Sequence, residues 1–254
     1  MPKSKSNYKA IISDVDGTII PIDINASPSP RVVKTIKKLK SRNIHFSLAT
    51  GRPFNLVENI IETLDLTAPI ITDNGAVIAD TAGKILWEAI LPHDEAVAIL
   101  KTANKYGFTR ISTDKSNPDN PKRIPSNEKV RKISVHDLWP EEADNLIAKI
   151  EAKYKDIAVA KGASFKGEEY IDVYFSHAHA TKQRAVLEYS QLLKIDTKDI
   201  IGIGDGANDF PLLMACGLKV AMGNAVEDLK AIADFVAPSV DRDGLAVMIE
   251  KFVL

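Results

Sequence analysis

Two carboxylates two positions apart, Asp14 and Asp16, stand in the stretch Asp14-Val15-Asp16-Gly17-Thr18 directly after an apolar run. A carboxylate becomes a covalent nucleophile toward phosphorus when a metal and positive side chains neutralise the phosphate it attacks, giving an aspartyl-phosphate. Asp14 fits that role. Side chains alternate along a strand, so Asp16 would share the face of Asp14. Gly17 lets the turn curl the second carboxylate toward the first, where it suits a proton donor and acceptor. Two plainer uses of such a stretch are an Asx-capped turn and one half of a calcium loop. The calcium loop needs glycine at its sixth position and glutamate at its twelfth; counted from Asp14, Ile19 and Asn25 stand there.

A second acidic cluster, Gly204-Asp205-Gly206-Ala207-Asn208-Asp209, follows the apolar run Ile200-Ile201-Gly202-Ile203. If the two runs are neighbouring strands, their spacing of ~4.8 Å puts Asp14 and Asp205 where one cation bridges them. Magnesium takes about six oxygens, commonly one or two carboxylates completed by water and substrate phosphate. Asp14, Asp205 and a main-chain carbonyl would fit. The rival reading is a dinucleotide fingerprint, Gly202-x-Gly204-x-x-Ala207, opening a helix after a strand. Asp205 and Asp209 oppose it, since a pyrophosphate must approach there, and the next strand ends in Gly223-Asn224 without the acid that a ribose needs.

Three further stretches carry candidates. In Thr50-Gly51-Arg52-Pro53, Thr50 could donate a hydroxyl to phosphate and Arg52 a charge-assisted contact; the same residues also suit an ordinary helix start. Asp73-Asn74-Gly75-Ala76 has the chemistry of a turn, yet it is a third polar cluster at a strand end. Thr181-Lys182 opens a helix, where a lysine opposes the helix dipole unless it meets an anion, and a bound phosphate would supply one. His177 and His179 read as solvated loop residues rather than ligands. Cys216, the one cysteine, lies in an apolar run and reads as a buried inert thiol.

The elements that must position these groups alternate. Apolar strands are expected over 8–13, 44–49, 69–72, 199–203, 218–222 and 235–237, with helices after Pro30, from Pro53 to Leu64, and over 183–193, 210–216, 226–233 and 244–252. A Pro/Ser/Asn loop fills 21–30. Each polar cluster thus ends a strand at its carboxyl edge, where open α/β sheets collect ligands. From about 83 to 175 the order changes: strands over 84–91, 108–112, 129–135, 157–160 and 169–175, helices over 94–106 and 139–154, and a polar loop over 113–127. With 254 residues and 45% hydrophobic content the chain can form one large domain or two small ones. A net charge of -1 argues against an electrostatic grip on nucleic acid or anionic lipid. No apolar run reaches the ~20 residues that span a bilayer. The lysine-bearing start, Met1 to Lys9, has no secretory pattern, so a cytoplasmic protein is expected.

Taken together, Asp14-Val15-Asp16-Gly17-Thr18, Thr50-Gly51-Arg52, Thr181-Lys182 and Gly204 to Asp209 resemble the four ordered motifs of the haloacid-dehalogenase-like phosphatases, over the whole chain. Asn74-Gly75 and the large insert between the second and third motifs resemble the Cof-like branch. The resemblance implies an α/β fold: a Rossmann-like three-layer core with a mainly parallel sheet from residues 1–82 and 178–254, and an inserted α/β cap domain over 83–177. It implies that Asp14 is the nucleophile and Asp16 the acid and base. Thr50 and Lys182 would bind the phosphoryl group, with Lys182 restraining repulsion against Asp14. For Mg2+ it implies Asp205 and the Asp16 main-chain carbonyl as ligands beside Asp14, with Asp209 in support. Gly51, Arg52, Asn74 and Asn208 would surround the substrate. Gln183 departs from the glycine that this branch commonly has after the lysine. The expected activity is magnesium-dependent hydrolysis of small phosphate monoesters, of sugar phosphate or phosphoglycolate type. A phosphomutase using the same aspartate, or a module phosphorylated on Asp14 without turnover, are the alternatives. The expected partner is a small phosphorylated metabolite, with neither nucleic acid nor membrane.

Overall fold

The structure, a computed structural model, describes residues 8–23 and 26–254; the start of the chain, Asn25 and part of the loop expected over 21–30 lie outside them. In chain order the elements are β1 (Ala10–Ser13), α1 (Pro30–Lys38), β2 (His45–Leu48), α2 (Glu58–Leu64), β3 (Ile70–Thr72), β4 (Val77–Ala79) and β5 (Ile85–Glu88). Then come α3 (His93–Ala103), β6 (Phe108–Thr113), β7 (Val130–Leu138), α4 (Pro140–Glu151), β8 (Ile157–Ala163) and β9 (Ile171–His177). The chain closes with α5 (Lys182–Leu193), β10 (Ile200–Gly204), α6 (Phe210–Ala215), β11 (Leu218–Ala221), α7 (Glu227–Ile232), β12 (Phe235–Val236) and α8 (Gly244–Phe252). Two compact units result, Met1–Trp87 with Lys182–Leu254, and Glu88–Thr181.

The first unit is built on a parallel sheet of order β12-β11-β10-β1-β2. Ile11, Ile12, Leu48, Ile201 and Ile203 are fully buried, and burying each such side chain is worth about 1.5–3 kcal/mol. Parallel crossovers are right-handed. The steps β1 to β2 and β10 to β11 run in opposite directions, so α1 and α6 fall on opposite faces. Helix α8 packs on α1, and α5 on α6, completing a layer on each side. Helix α1 starts as its residues dictate: Ser29 Oγ accepts the Val32 N–H at 3.2 Å, Pro30 occupies the first turn, and Lys37 and Lys38 close the last. The expected helix from Pro53 is interrupted; a short 3-10 turn over Phe54–Leu56 precedes α2, because Val57 at φ -123° leaves the helical region. Past β2, Ala49 bridges Ile71, and β3 pairs antiparallel with β4, a short strand that the Asn-Gly turn had hidden. The direction of the sheet reverses between β1 and β10, whose carboxyl ends therefore border a crevice of the kind that holds ligands in such sheets.

The second unit is an antiparallel sheet, β6-β7-β9-β8, with Ile133, Val135, Val173 and Phe175 packed against Ile99 and Leu100 of α3 and Leu146 and Ile150 of α4. On alternate positions His136 donates from Nδ1 to Asp172 at 2.6 Å, which satisfies a carboxylate buried in the sheet. Strand β7 runs on to Leu138 through an irregularity after Val135. The long polar loop is tied to itself, Thr113 Oγ1 donating to Glu128 at 2.8 Å and Arg110 pairing with Asp119. Among the described residues, no helix is long and apolar enough to cross a membrane.

Candidate active site

The parallel register sets Ser13 opposite Ile203, and the Asp14 N–H donates to the Ile203 carbonyl at 2.9 Å. Asp14 and the Asp205 loop therefore leave neighbouring strand ends side by side. After Asp14 the chain folds back through Ile19 and Ile20, whose N–H groups donate to the Val15 carbonyl. Gly17, at φ 74°, is needed twice over: the left-handed region suits it, and a Cβ there would lie 2.1 Å from Asp205 Oδ2.

The loop after β10 closes on its own acid. Asp209 Oδ2 accepts the N–H groups of Asp205 and Gly206 at 3.0 and 2.9 Å. Those are the backbone donors that a pyrophosphate would need, and a Cβ at Gly204 would fall 2.4 Å from Asp209 Cγ. A dinucleotide site is thus filled by the protein's own carboxylate. Cys216 packs behind Gly202, and burial pushes its thiol up to about 12, which makes it inert.

Lys182, the first residue of α5, puts its ammonium 2.8 Å from Asp14 Oδ1 and also on Asp209 Oδ1. Burial opposes its charge, but the two carboxylates outweigh burial and hold its pKa above the usual value. The acids are less well served. Burial, then Asp209, pushes Asp14 up to about 7 against the pull of Lys182; burial, then Asp209 and Asp14, pushes Asp205 up to about 8 against a hydrogen bond from Thr18. Oxygens of Asp14, Asp205 and Asp209 lie within 4.8 Å of one another, and among the described residues this is the one group of three or more acid, histidine or cysteine side chains that could hold a metal. An all-oxygen donor set short of positive charge suits a hard divalent cation. His177 and His179 belong to no such group; their rings meet edge to face, with centroids 5.1 Å apart.

Asp16 and Arg52 depart from the expected arrangement. The Arg52 guanidinium forks onto the Asp16 carboxylate, Nε to Oδ2 at 2.9 Å and Nη2 to Oδ1 at 2.5 Å. Arg52 is thus paired with the second acid, because β1 and β2 are adjacent and their ends meet. Thr50 is buried and its Oγ1 accepts the Arg52 N–H at 3.1 Å. Asn208 Nδ2 donates to Asn74 Oδ1 at 3.3 Å, joining the last two strand-end clusters, and a Cβ at Gly51 would lie 3.1 Å from the same oxygen.

Two residues escaped the sequence reading. Thr18 Oγ1 donates to Asp205 Oδ1 at 2.9 Å. Asn224 Nδ2 donates to the Gly17 carbonyl at 2.8 Å while its Oδ1 accepts the Val240 N–H, so it ties the end of β11 to the first acidic turn. The available signal was position: Gly223-Asn224 is a further polar strand end beside β10.

A family model described as haloacid dehalogenase-like hydrolase matches residues 11–117 and 109–249. The chain is 26% identical over 249 residues to a phosphoglycolate phosphatase of Methanopyrus kandleri, covering 96% of each. It is 24% identical over 251 residues to the 5-amino-6-(5-phospho-D-ribitylamino)uracil phosphatase YcsE of Bacillus subtilis, covering 98% of this chain and 97% of that one. In fold it is similar to a haloacid dehalogenase-like hydrolase from B. subtilis, with a TM-score of 0.82 and 21% identity over 96% of this chain and 100% of the other.

Proposed function

This chain belongs to the haloacid dehalogenase-like hydrolases, in the Cof-like branch that its ordered motifs resemble, and on that footing we propose that it is a magnesium-dependent phosphatase of small phosphate monoesters, of sugar phosphate or phosphoglycolate type, working in the cytoplasm. The observation that carries the reading is the contact of Lys182 with both Asp14 and Asp209, beside Asp205. It is a buried nucleophile candidate with one fixed cation and room in its charge balance for a second.

Asp14 attacks phosphorus in line, forming an Asp14–phosphorus bond as the bond to the leaving alcohol breaks. Asp16 gives that alcohol its proton, then takes one from a water that attacks the same phosphorus and frees Asp14 and inorganic phosphate. Lys182 holds Asp14 and offsets charge on the phosphoryl oxygens, and Thr50 offers them a hydroxyl. Arg52 holds Asp16 by both oxygens, an orientation that lysine would not impose. Asp14, Asp205 and the Asp16 carbonyl would hold a magnesium ion, with Asp209 in support, and when bound it would supply positive charge to offset the neighbouring acids and the phosphoryl oxygens. The insert expected over 83–177, whose compact unit is Glu88–Thr181, is proposed as the cap domain of the Cof-like branch.

Phosphate release from sugar phosphates, phosphoglycolate, nucleotides and an aryl phosphate, with magnesium and with chelator, tests the reading. Magnesium-dependent release is expected. Folded protein that releases none from any of them overturns it.

A further inference from the structure

The antiparallel sheet of the second unit has two edges, and the chain treats them differently. Along β6 the polar loop returns as cover: the Ile111 N–H donates to the Pro118 carbonyl at 3.2 Å, the Asn120 N–H to the Thr109 carbonyl at 2.7 Å, and Arg110 bridges Asp119. Along β8, at the opposite edge, no strand or loop pairs among the described residues. An edge strand is a template for pairing unless proline, charge or a bulge blunts it. Strand β8, Ile157-Ala158-Val159-Ala160-Lys161-Gly162-Ala163, has no proline, and its register with β9 runs without a shift. Its one charge, Lys161, is held by Asp144 of α4.

The groups that this edge offers follow from the ladder. The Ala178 N–H donates to the Asp156 carbonyl at 3.0 Å, and these two residues continue the register that sets Ile157 opposite His177. Directly opposed residues in an antiparallel pair alternate between bonded and unbonded. Ala158, Ala160 and Gly162 therefore bond β9, while Ile157, Val159, Lys161 and Ala163 turn their N–H and C=O groups to the open side.

We propose that this edge pairs with the same edge of a second copy of the chain, antiparallel about a two-fold axis at Ala160, joining two four-stranded sheets into one. In that register Ile157 faces Ala163 and Val159 faces Lys161, so every outward N–H and C=O of the strand is used. Ile157 and Val159 pack toward the core under α3 and α4, and odd positions face odd positions, so the helices of both copies share one side of the joined sheet. A slip of one residue would set the helix side of one copy against the polar side of the other. A slip that sets Lys161 opposite itself puts like charges together. The flanks favour a copy over a foreign strand. Lys153 and Lys155 before β8, and Glu168 and Glu169 after it, are exposed and have no ion-pair partner among the described residues. The two-fold axis brings the lysines of each copy to the glutamates of the other. Phe165, 58% exposed just beyond β8, falls opposite Lys155 of the second copy.

Sedimentation velocity of the full chain over a concentration series tests the pairing, as wild type, Val159→Pro and Ala163→Pro. Proline at either position deletes an outward N–H and leaves the bonds to β9 intact. Wild type is expected to become dimeric as concentration rises, and both variants to remain monomeric at the concentration where it does. Ala163 is exposed, so its variant reads the edge even if Val159→Pro disturbs the core. Mild oxidation reads the register. Ala160 meets itself across the axis in an unbonded pair, with Cα atoms ~4.5 Å apart and within disulfide reach. Ala160→Cys is expected to crosslink into a dimer, whereas Ala158→Cys, opposite Gly162, is not; Cys216 is buried in both. A wild type that stays monomeric throughout overturns the inference. So does a dimer that both prolines leave unchanged, or one that crosslinks through Ala158→Cys in preference to Ala160→Cys.

Discussion

Lys182 and Asp14 stand 168 positions apart in the chain and 2.8 Å apart in the fold, with side chains 1% and 8% exposed. A buried cation shared by two carboxylates is costly to remove, because it leaves charges without partner or water. Lys182→Met is expected to destabilise the metal-free protein by about 3–5 kcal/mol and to abolish phosphate release. Urea denaturation measures the first effect; equal stability in wild type and variant would contradict a stabilising buried ion pair there.

Replacing Asp14 gives the opposite sign of stability change. Its pKa is pushed from 3.8 up to about 7, so the folded state holds a proton that the unfolded chain has released at lower pH. The contribution of this group to stability is full below about pH 4 and is lost as pH rises through 7. Asp14→Asn is therefore expected to melt at a higher temperature than wild type without metal, by a margin that grows from pH 5 to pH 8. Its phosphatase activity should fall by more than about a thousandfold. A margin that shrinks with pH would contradict the buried-charge account.

Metal binding follows the same protons. Asp14 and Asp205 are pushed up to about 7 and about 8, so below that range magnesium must displace protons and above it the oxygens are bare. Magnesium affinity is expected to rise steadily from pH 6 to pH 9, with proton release near pH 7 seen as a buffer-dependent heat. An affinity flat across that range would exclude these two acids as ligands.

The fork between Arg52 and Asp16 separates two uses of the arginine. If Arg52 acts by aligning Asp16, Arg52→Lys, which cannot hold both oxygens in one plane, lowers kcat by about tenfold to a hundredfold, a fraction of what acid–base catalysis contributes. KM stays close to wild type. A raised KM with unchanged kcat would mark Arg52 as a substrate contact instead, and steady-state kinetics with one substrate suffices.

What the residues disclosed in advance were the places where polarity breaks at a strand's end: Asp14, Thr50 and Asp205 each follow an apolar run, and each stands on the sheet edge as expected. What they did not disclose depends on which strands are neighbours. Asn224 reads as a turn residue until β11 is known to lie beside β10, and Arg52 reads as a free cation until β2 is known to lie beside β1. Strand β4 went unseen because three residues after an Asn-Gly turn are too few to display a period. The Asp209 carboxylate closes on its own loop beside a glycine, Gly204, which leaves it room.

Strands β1 and β10 are buried at every position, Ala10–Ser13 and Ile200–Gly204 alike. A strand covered on both sides lacks the alternation that elsewhere tells a sheet how its members should align. Sliding one past the other by a single step would still bury isoleucine against isoleucine. The alignment has to be read from the ends, where Thr18 Oγ1 donates to Asp205 Oδ1 and Gly17 packs against the same carboxylate. The acids that face the crevice are thus also the stops against which the assembling chain is measured, and a molecule that mispairs these strands disassembles its own chemistry in the same act.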